Sequence, residues 1–180
     1  MKTKIIKTEI DDVLIFQPEK FIDKRGHLIE SFSEKRYKKY LPNIDFVQEN
    51  ESFSNYGVLR GLHFQRPPFE QAKLIRVIKG EIQDVAVDIR PDSKTYKKYI
   101  SIILNDTNKK QLYIPRGFAH GFLVLSSEAI VSYKMDNYFN LESSSGIKFD
   151  DQDINVKWKL KSDDIILSDK DSNLSFLKKS

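Results

Sequence analysis

No cysteine occurs anywhere in the chain. That removes disulfides, zinc–thiolate centres and thiol nucleophiles from consideration, and it fits a cytoplasmic setting. No apolar run approaches the length of a membrane span, so no membrane association is expected. A leader peptide is not expected either. The opening stretch, MKTKIIKTEIDDVLIF, carries acidic residues where a signal sequence has an unbroken apolar run, and no small-residue cleavage site follows. Internal repeats, low-complexity segments and linkers are also missing. The net charge is +4, but the lysines are scattered, with short pairs at Lys38-Lys39, Lys97-Lys98, Lys109-Lys110 and Lys178-Lys179. Without a basic stripe interleaved with aromatics, the charge reads as a solvated surface and no nucleic-acid partner is expected.

What is present suits a globular protein. The 180 residues are 39% apolar and 31% charged, and they read as one domain over 1–180. Glycine and proline punctuate short β-rich runs. Val13 to Phe16 is stopped by Pro18, and His27 to Phe32 alternates after the turn Asp23-Lys24-Arg25-Gly26. Val58 to Phe64, Leu74 to Ile78 and Glu81 to Ile89 follow, then Tyr99 to Leu104, Gln111 to Ile114, Gly121 to Leu125 and Ala129 to Met135. In Glu81 to Ile89, Val85, Val87 and Ile89 fall on one face while Asp84, Ala86 and Asp88 fall on the other. Only Ser33 to Leu41 reads as helical, and Glu34 is poorly placed for more than a short segment. Many short strands between turns predict an all-β sandwich or barrel. The last twenty residues show no regular pattern, yet Ile165, Ile166, Leu167, Leu174, Phe176 and Leu177 give them apolar surface to pack onto the body.

Candidate chemistry centres on the three histidines. His27 lies in an alternating, exposable strand. His63 sits in Gly57-Val-Leu-Arg60-Gly-Leu-His63-Phe-Gln65, with Lys73 soon after, and His120 sits in Pro115-Arg-Gly-Phe-Ala-His120-Gly121. A core strand has no packing reason to gather Arg, His, Gln and Lys. Burying each unpaired costs on the order of 2–7 kcal/mol, and a polar pocket inside a barrel resolves the conflict. In a regular strand Leu59, Gly61, His63 and Gln65 share one face and Arg60 the other. For Arg60 and His63 to serve one ligand, either Gly61 marks a bulge or Arg60 works at the rim. Pro115-x-Gly117-x-x-His120 is similar to a metal motif of cupins, but Gln65 stands where a His-x-His pair would be completed. Two histidines beside Lys73 are a poor metal set, so no metal is expected.

The runs Asp23-Lys-Arg25-Gly26, Gln48-Glu-Asn50-Glu-Ser52, Gly57 to Gln65, Gln71-Ala-Lys73-Leu74, Asp84-Val-Ala-Val-Asp88-Ile-Arg90, Pro115 to Phe122, Tyr133-Lys134 and Leu167-Ser-Asp-Lys-Asp171 together resemble the dTDP-4-dehydrorhamnose 3,5-epimerase family. They stand in that family's order and nearly its spacing. The resemblance implies a cupin-type jelly roll with a few short helices, a homodimer, and activity on a dTDP-linked 4-keto-6-deoxy sugar without cofactor. It implies His63 as base, Asp171 as its partner, Tyr133 as the acid on the opposite sugar face, and Lys73 near the C4 oxygen. His120 and Asp84 match further pocket residues. Arg25, Arg60, Gln48 and Asn50 match residues that hold diphosphate and sugar, and Phe21 and Glu30 match contacts of the base end. Residues around Phe21 and His27 are expected to reach the partner's pocket.

The chain departs from the family pattern at Phe139, where a tyrosine beside the sugar is usual, at Phe149 for a tryptophan, and at His27 for an aromatic residue. Phe139 leaves open inversion of one centre or of both. Three other readings stay open on the residues alone: a ketoisomerase, a silent sugar-binding cupin, and a metal-dependent cupin opposed by the incomplete histidine set.

Overall fold

The computed structural model describes residues 1–177; Lys178, Lys179 and the final serine of the expected 1–180 domain lie outside them. Two antiparallel sheets face each other. The first orders its strands as β1 (Thr3–Lys7), β2 (Leu14–Pro18), β10 (Gln111–Ile114), β7 (Lys73–Lys79), β12 (Glu128–Met135) and β5 (Gln48–Asn55). The second runs β13 (Ser144–Gly146), β6 (Leu59–Gln65), β11 (Phe118–Val124), β8 (Glu81–Asp88) and β9 (Tyr99–Asn105). A separate hairpin joins β3 (Lys20–Asp23) to β4 (Gly26–Ile29). Helix is confined to α1 (Glu34–Tyr37), a 3-10 turn at Ser162–Asp164, and α2 (Asp169–Ser172). This is the all-β jelly roll with a few short helices that the resemblance implied. Among the described residues no helix is long and apolar enough to cross a membrane.

The space between the sheets is filled by alternate residues of each strand. Ile75 and Val77 of β7, Ile82 and Ala86 of β8, Phe118, Phe122 and Val124 of β11, and Ala129 and Val131 of β12 belong to one interior cluster. Period-two alternation then sends Lys73, Asp84, His120 and Tyr133 into the same interior, toward one end. The face of β8 that carries Asp84 is therefore the inner face. Its valine face is buried too, because Val85 and Val87 pack with Leu62, Ala119, Ile147 and Ile154 beneath the C-terminal segment. That segment continues over the outside of the second sheet, where Trp158, Ile165 and Leu167 pack near Leu59, Leu123 and Phe149. Leu177 also packs onto the body, whereas Ile166 and Phe176 stay more than half exposed at 55% and 51%.

The strands read from the sequence recur with shifted ends, but β1 and β5 carry no hydrophobic alternation to reveal them. Along β5 the inward residues are Gln48, Asn50, Ser52 and Ser54, and the outward ones include Glu49 and Glu51. The alternating run at His27 to Phe32 is a strand only over Gly26–Ile29; it pairs with β3 and joins neither sheet. The helix expected over Ser33 to Leu41 is a single turn whose buried Tyr37 ring stacks on Phe16 at 4.5 Å.

Candidate active site

A cavity of about 320 Å³ opens between the sheets. One wall is formed by His63 and Arg60 of β6 with His120 and Phe122 of β11. The other is formed by Lys73 of β7, Tyr133 of β12 and Ser52 of β5, and Ser168, Lys170 and Asp171 close the side. A volume at the small end of the ligand-pocket range suits a sugar better than a whole nucleotide sugar.

Arg60 and His63 reach one cavity because β6 carries an extra residue. His63 pairs with His120, but Arg60 pairs with Phe122, so Gly61 and Leu62 together oppose Gly121. This β-bulge resolves the parity conflict of the sequence in favour of the first alternative. Gly61 has φ 123°, and a Cβ there would fall 2.6 Å from the Gly121 Cα, so glycine is required by both conformation and space. The bulge also frees the Gly61 N–H, which donates to Asp171 Oδ2 at 3.3 Å.

Asp171 arrives from the segment that had no legible pattern. The Leu59 and Ile166 N–H groups donate to Ile166 and Gly57 carbonyls respectively, at 2.9 and 2.8 Å, which ties that segment alongside β6. Ser168 then caps α2, its hydroxyl accepting from the Asp171 N–H at 3.1 Å. The result sets Asp171 Oδ1 2.6 Å from His63 Nε2. The His63 side chain is 34% exposed and that of Asp171 5%, so the imidazole reaches the cavity while its partner stays behind it. Burial pushes the Asp171 carboxyl up, but the hydrogen bonds from His63, Gly61 and Ser168 outweigh it and hold it below the usual aspartate value. An ionised Asp171 takes the proton-bearing Nε2, which leaves Nδ1 as the basic nitrogen.

A second pair stands next to the first. His120 Nε2 lies 2.7 Å from Asp84 Oδ1, and burial keeps His120 below its ordinary pKa despite that carboxylate. Lys73 is also desolvated; burial lowers it to about 8, with Asp84 acting in the opposite direction. Among the described residues no cluster of three or more His, Asp and Glu side chains is arranged to hold a metal ion.

Of the site residues read from the sequence, His63, Lys73, Arg60, His120, Tyr133 and Asp171 meet at the cavity. Gln48 and Asn50 sit beside it on the inner face of β5, and the Asn50 amide donates to the Tyr133 hydroxyl at 3.5 Å. Asp84 does not reach the cavity wall; it is fully buried behind His120. Phe139 is 53% exposed and does not line the cavity, and its N–H donates to Gln48 Oε1 at 3.1 Å. Phe21 and Arg25 ride on the hairpin and Glu30 follows it, all outside this cavity, with Arg25 paired to Asp23 and Glu30 to Arg36. Phe149 lies in the outer cluster, remote from the chemistry. Sequence reasoning missed Ser52, Phe122, Ser168 and Lys170. For the last two a signal existed: a serine three residues before an aspartate is a helix-start pattern, and it would have placed Lys170 on the same turn.

Comparison with known proteins identifies the family and the fold. The family model described as dTDP-4-dehydrorhamnose 3,5-epimerase matches residues 7–179. The enzyme of that name from Methanothermobacter thermautotrophicus is 49% identical over 171 residues, covering 94% of this chain and 92% of the relative. The crystal structure of the Elizabethkingia anophelis enzyme superposes with a TM-score of 0.92 at 46% identity, covering 97% of this chain and 96% of that one. The Legionella pneumophila dTDP-6-deoxy-D-glucose-3,5-epimerase, solved in complex with dTDP-4-keto-L-rhamnose, gives 0.94 at 43% identity, with 97% and 93% covered.

Proposed function

The chain belongs to the dTDP-4-dehydrorhamnose 3,5-epimerase family and is an isomerase by reaction class, and we propose that it converts dTDP-4-dehydro-6-deoxy-D-glucose into dTDP-4-dehydro-L-rhamnose by inverting C3 and C5. The observation that carries this reading is the placement of a carboxylate-bound histidine and a tyrosine on facing walls of one cavity, with a lysine beside the tyrosine.

Each centre is inverted by removing a proton next to the ketone and returning one to the other face. His63, neutral and oriented by Asp171, takes the proton on its free nitrogen, and the imidazolium that forms is stabilised by the adjacent carboxylate. A positioned base of this kind typically contributes 10²–10⁴-fold. The electron pair moves onto the C4 oxygen, where the Lys73 ammonium stabilises the enolate; removing one comparable donor costs about 3–4 kcal/mol. Tyr133 delivers a proton from the facing wall, and the carbonyl reforms. Arg60, whose fork suits phosphate oxygens, and Lys170 supply positive charge for the diphosphate. Proton exchange with water then returns His63 to its neutral form and the Tyr133 oxygen to its hydroxyl, which resets the pair for the next centre.

The chain would act as a homodimer in the cytoplasm, residues 1–180 forming one catalytic domain per protomer. The β3–β4 hairpin supports the dimer. Phe21, Ile22 and Leu28 on it are 45%, 73% and 59% exposed, and an isolated two-stranded hairpin is marginally stable unless something covers it. A partner's body is the natural cover, and Phe21, Arg25 and Glu30 would then serve the partner's cavity. Incubation with dTDP-4-keto-6-deoxyglucose in heavy water, reading deuterium at C3 and C5 separately, tests the reaction. Absence of label at both carbons would overturn it.

A further inference from the structure

Asp171 sits on α2, a single helical turn too short to be stable by itself. The Ser168 cap shapes that turn without locating it. On its N-terminal side the chain is fastened at Ile166, which is hydrogen-bonded to Gly57 and Leu59. On its C-terminal side residues 170–177 run alongside 144–151. Lys170 Nζ donates to Ser144 Oγ at 3.3 Å, the Lys148 N–H donates to the Ser175 carbonyl at 3.0 Å, and the Leu177 N–H donates to Asp151 Oδ2 at 2.7 Å. Leu174 lies over Gly146, where a Cβ would fall 2.7 Å from the leucine Cδ1. Gly146 is also the register partner of His63 in the β13–β6 ladder. The histidine and its carboxylate partner are therefore both located against one short stretch of chain. Apolar packing adds little to this hold. Among the described residues beyond α2 only Leu174 and Leu177 turn inward, and neither is fully buried.

We propose that Asp151 is a positioning residue for the base pair: through Oδ2 it fastens the end of the 170–177 segment, and so holds Asp171 against His63. Asp151 is 3% exposed and lies off the cavity wall, so it acts on no substrate. Its Oδ1 accepts from the Asp153 and Ile154 N–H groups, both at 3.0 Å, which closes a local turn. A turn of that kind needs one side-chain oxygen. The second oxygen takes a donor 26 residues away, and at 2.7 Å this is the shortest of the hydrogen bonds along the segment. With Ile166 fastened to β6 and Leu177 to Asp151, α2 is held from both ends, and Asp171 Oδ1 stays 2.6 Å from His63 Nε2. The consequence for turnover rests on His63 acting as the base; the hold on the His63–Asp171 hydrogen bond does not.

The imidazole N–H that His63 gives to Asp171 reports this hold directly by NMR. In protein labelled with nitrogen-15 at histidine it should exchange slowly with water. Its absence in His63→Ala distinguishes it from the His120 N–H, which also faces a carboxylate. Asp151→Asn keeps an oxygen for the local turn but turns an NH2 toward the Leu177 N–H. Leu177→Pro removes that N–H and leaves Asp151 and its turn in place. In both variants the His63 signal should be lost to fast exchange, and kcat should fall by up to about 10²-fold, the scale of a ~1 Å misplacement caused from a distance. Absence of the signal in the wild type overturns the inference. So does its persistence in Leu177→Pro, which decides the matter even where Asp151→Asn fails to fold. A lower melting temperature with the signal intact would reduce Asp151 to a fold-stabilising residue. Turnover separates the inference from the reading beneath it. If the signal is lost and kcat falls, both stand. If the signal is lost and kcat holds, Asp151 does position the pair but His63 is not the group that takes the proton.

Discussion

His63 Nε2 and Asp171 Oδ1 lie 2.6 Å apart although 108 residues separate them in the chain. The contact exists because a bulge in β6 turns an N–H toward the same carboxylate and a serine-capped turn presents it. If that pair is the base of the reaction, His63→Ala should reduce kcat by about 10²–10⁴-fold with the circular dichroism spectrum unchanged. A variant keeping more than about a tenth of the rate would show that another group removes the proton. Asp171→Asn should keep the shape while losing the charge that stabilises the imidazolium, and it should fall toward the same level.

Lysine 73 gives the pH dependence a definite sign. Its pKa is lowered by burial to about 8, so the fraction of charged ammonium falls as pH rises through that value. The kcat profile should therefore decline above about pH 8 and recover on returning to pH 7. Lys73→Arg, which stays charged over this range, should lose the decline even if its larger head slows the reaction overall. An arginine variant with an unchanged alkaline limb would trace that limb to a different group.

The interior polar residues were legible because they stand among apolar ones: Lys73 heads the inward row of Ile75 and Val77, and Arg60 and His63 share a strand with Leu59, Leu62 and Phe64, which pack on its other face. Asp84 was legible as polar, but its place behind His120 was not, since alternation gives the face of a residue and never its depth. β5 was invisible for the same reason that it matters, because a strand whose inward residues are Gln48, Asn50, Ser52 and Ser54 has no hydrophobic period. The bulge at Gly61 could be posed as one of two alternatives, and only the register against β11 decides between them. The turn carrying Asp171 is held by contacts with β6, which no local pattern encodes.

The hairpin residues suggest a test of assembly. Sedimentation should give a dimer at working concentration, and Arg25→Ala should weaken substrate binding although Arg25 lies outside its own protomer's cavity. At a substrate concentration too low for Arg25→Ala to turn over, mixing it with inactive His63→Ala protomers should restore part of the activity, because one site in a mixed dimer then receives both intact residues. A fully active monomer, or mixtures with no gain, would place Arg25 outside the reaction.

Inversion needs a donor on the face opposite the base, and the ring of Tyr133 stands on the wall facing His63. It follows Val131 along the inner face of β12, but where Val131 is fully buried Tyr133 remains partly exposed at the cavity, its hydroxyl accepting from Asn50 at 3.5 Å. Tyr133→Phe should leave His63 able to exchange the C3 or C5 proton with solvent, yet form little inverted product. If exchange and product fall together, or neither falls, Tyr133 is a packing residue and the donor lies elsewhere. Phe139 then decides how many centres are served. Its ring is exposed and off the cavity wall, and its hydrogen bond to Gln48 comes from the backbone N–H, which favours a neutral replacement of the usual tyrosine. The wild type should accordingly label C3 and C5 at similar rates in heavy water, and Phe139→Tyr should change neither. A wild-type protein that labels one carbon much faster, with the gap narrowed in Phe139→Tyr, would show that a second hydroxyl is needed and that this chain inverts a single centre.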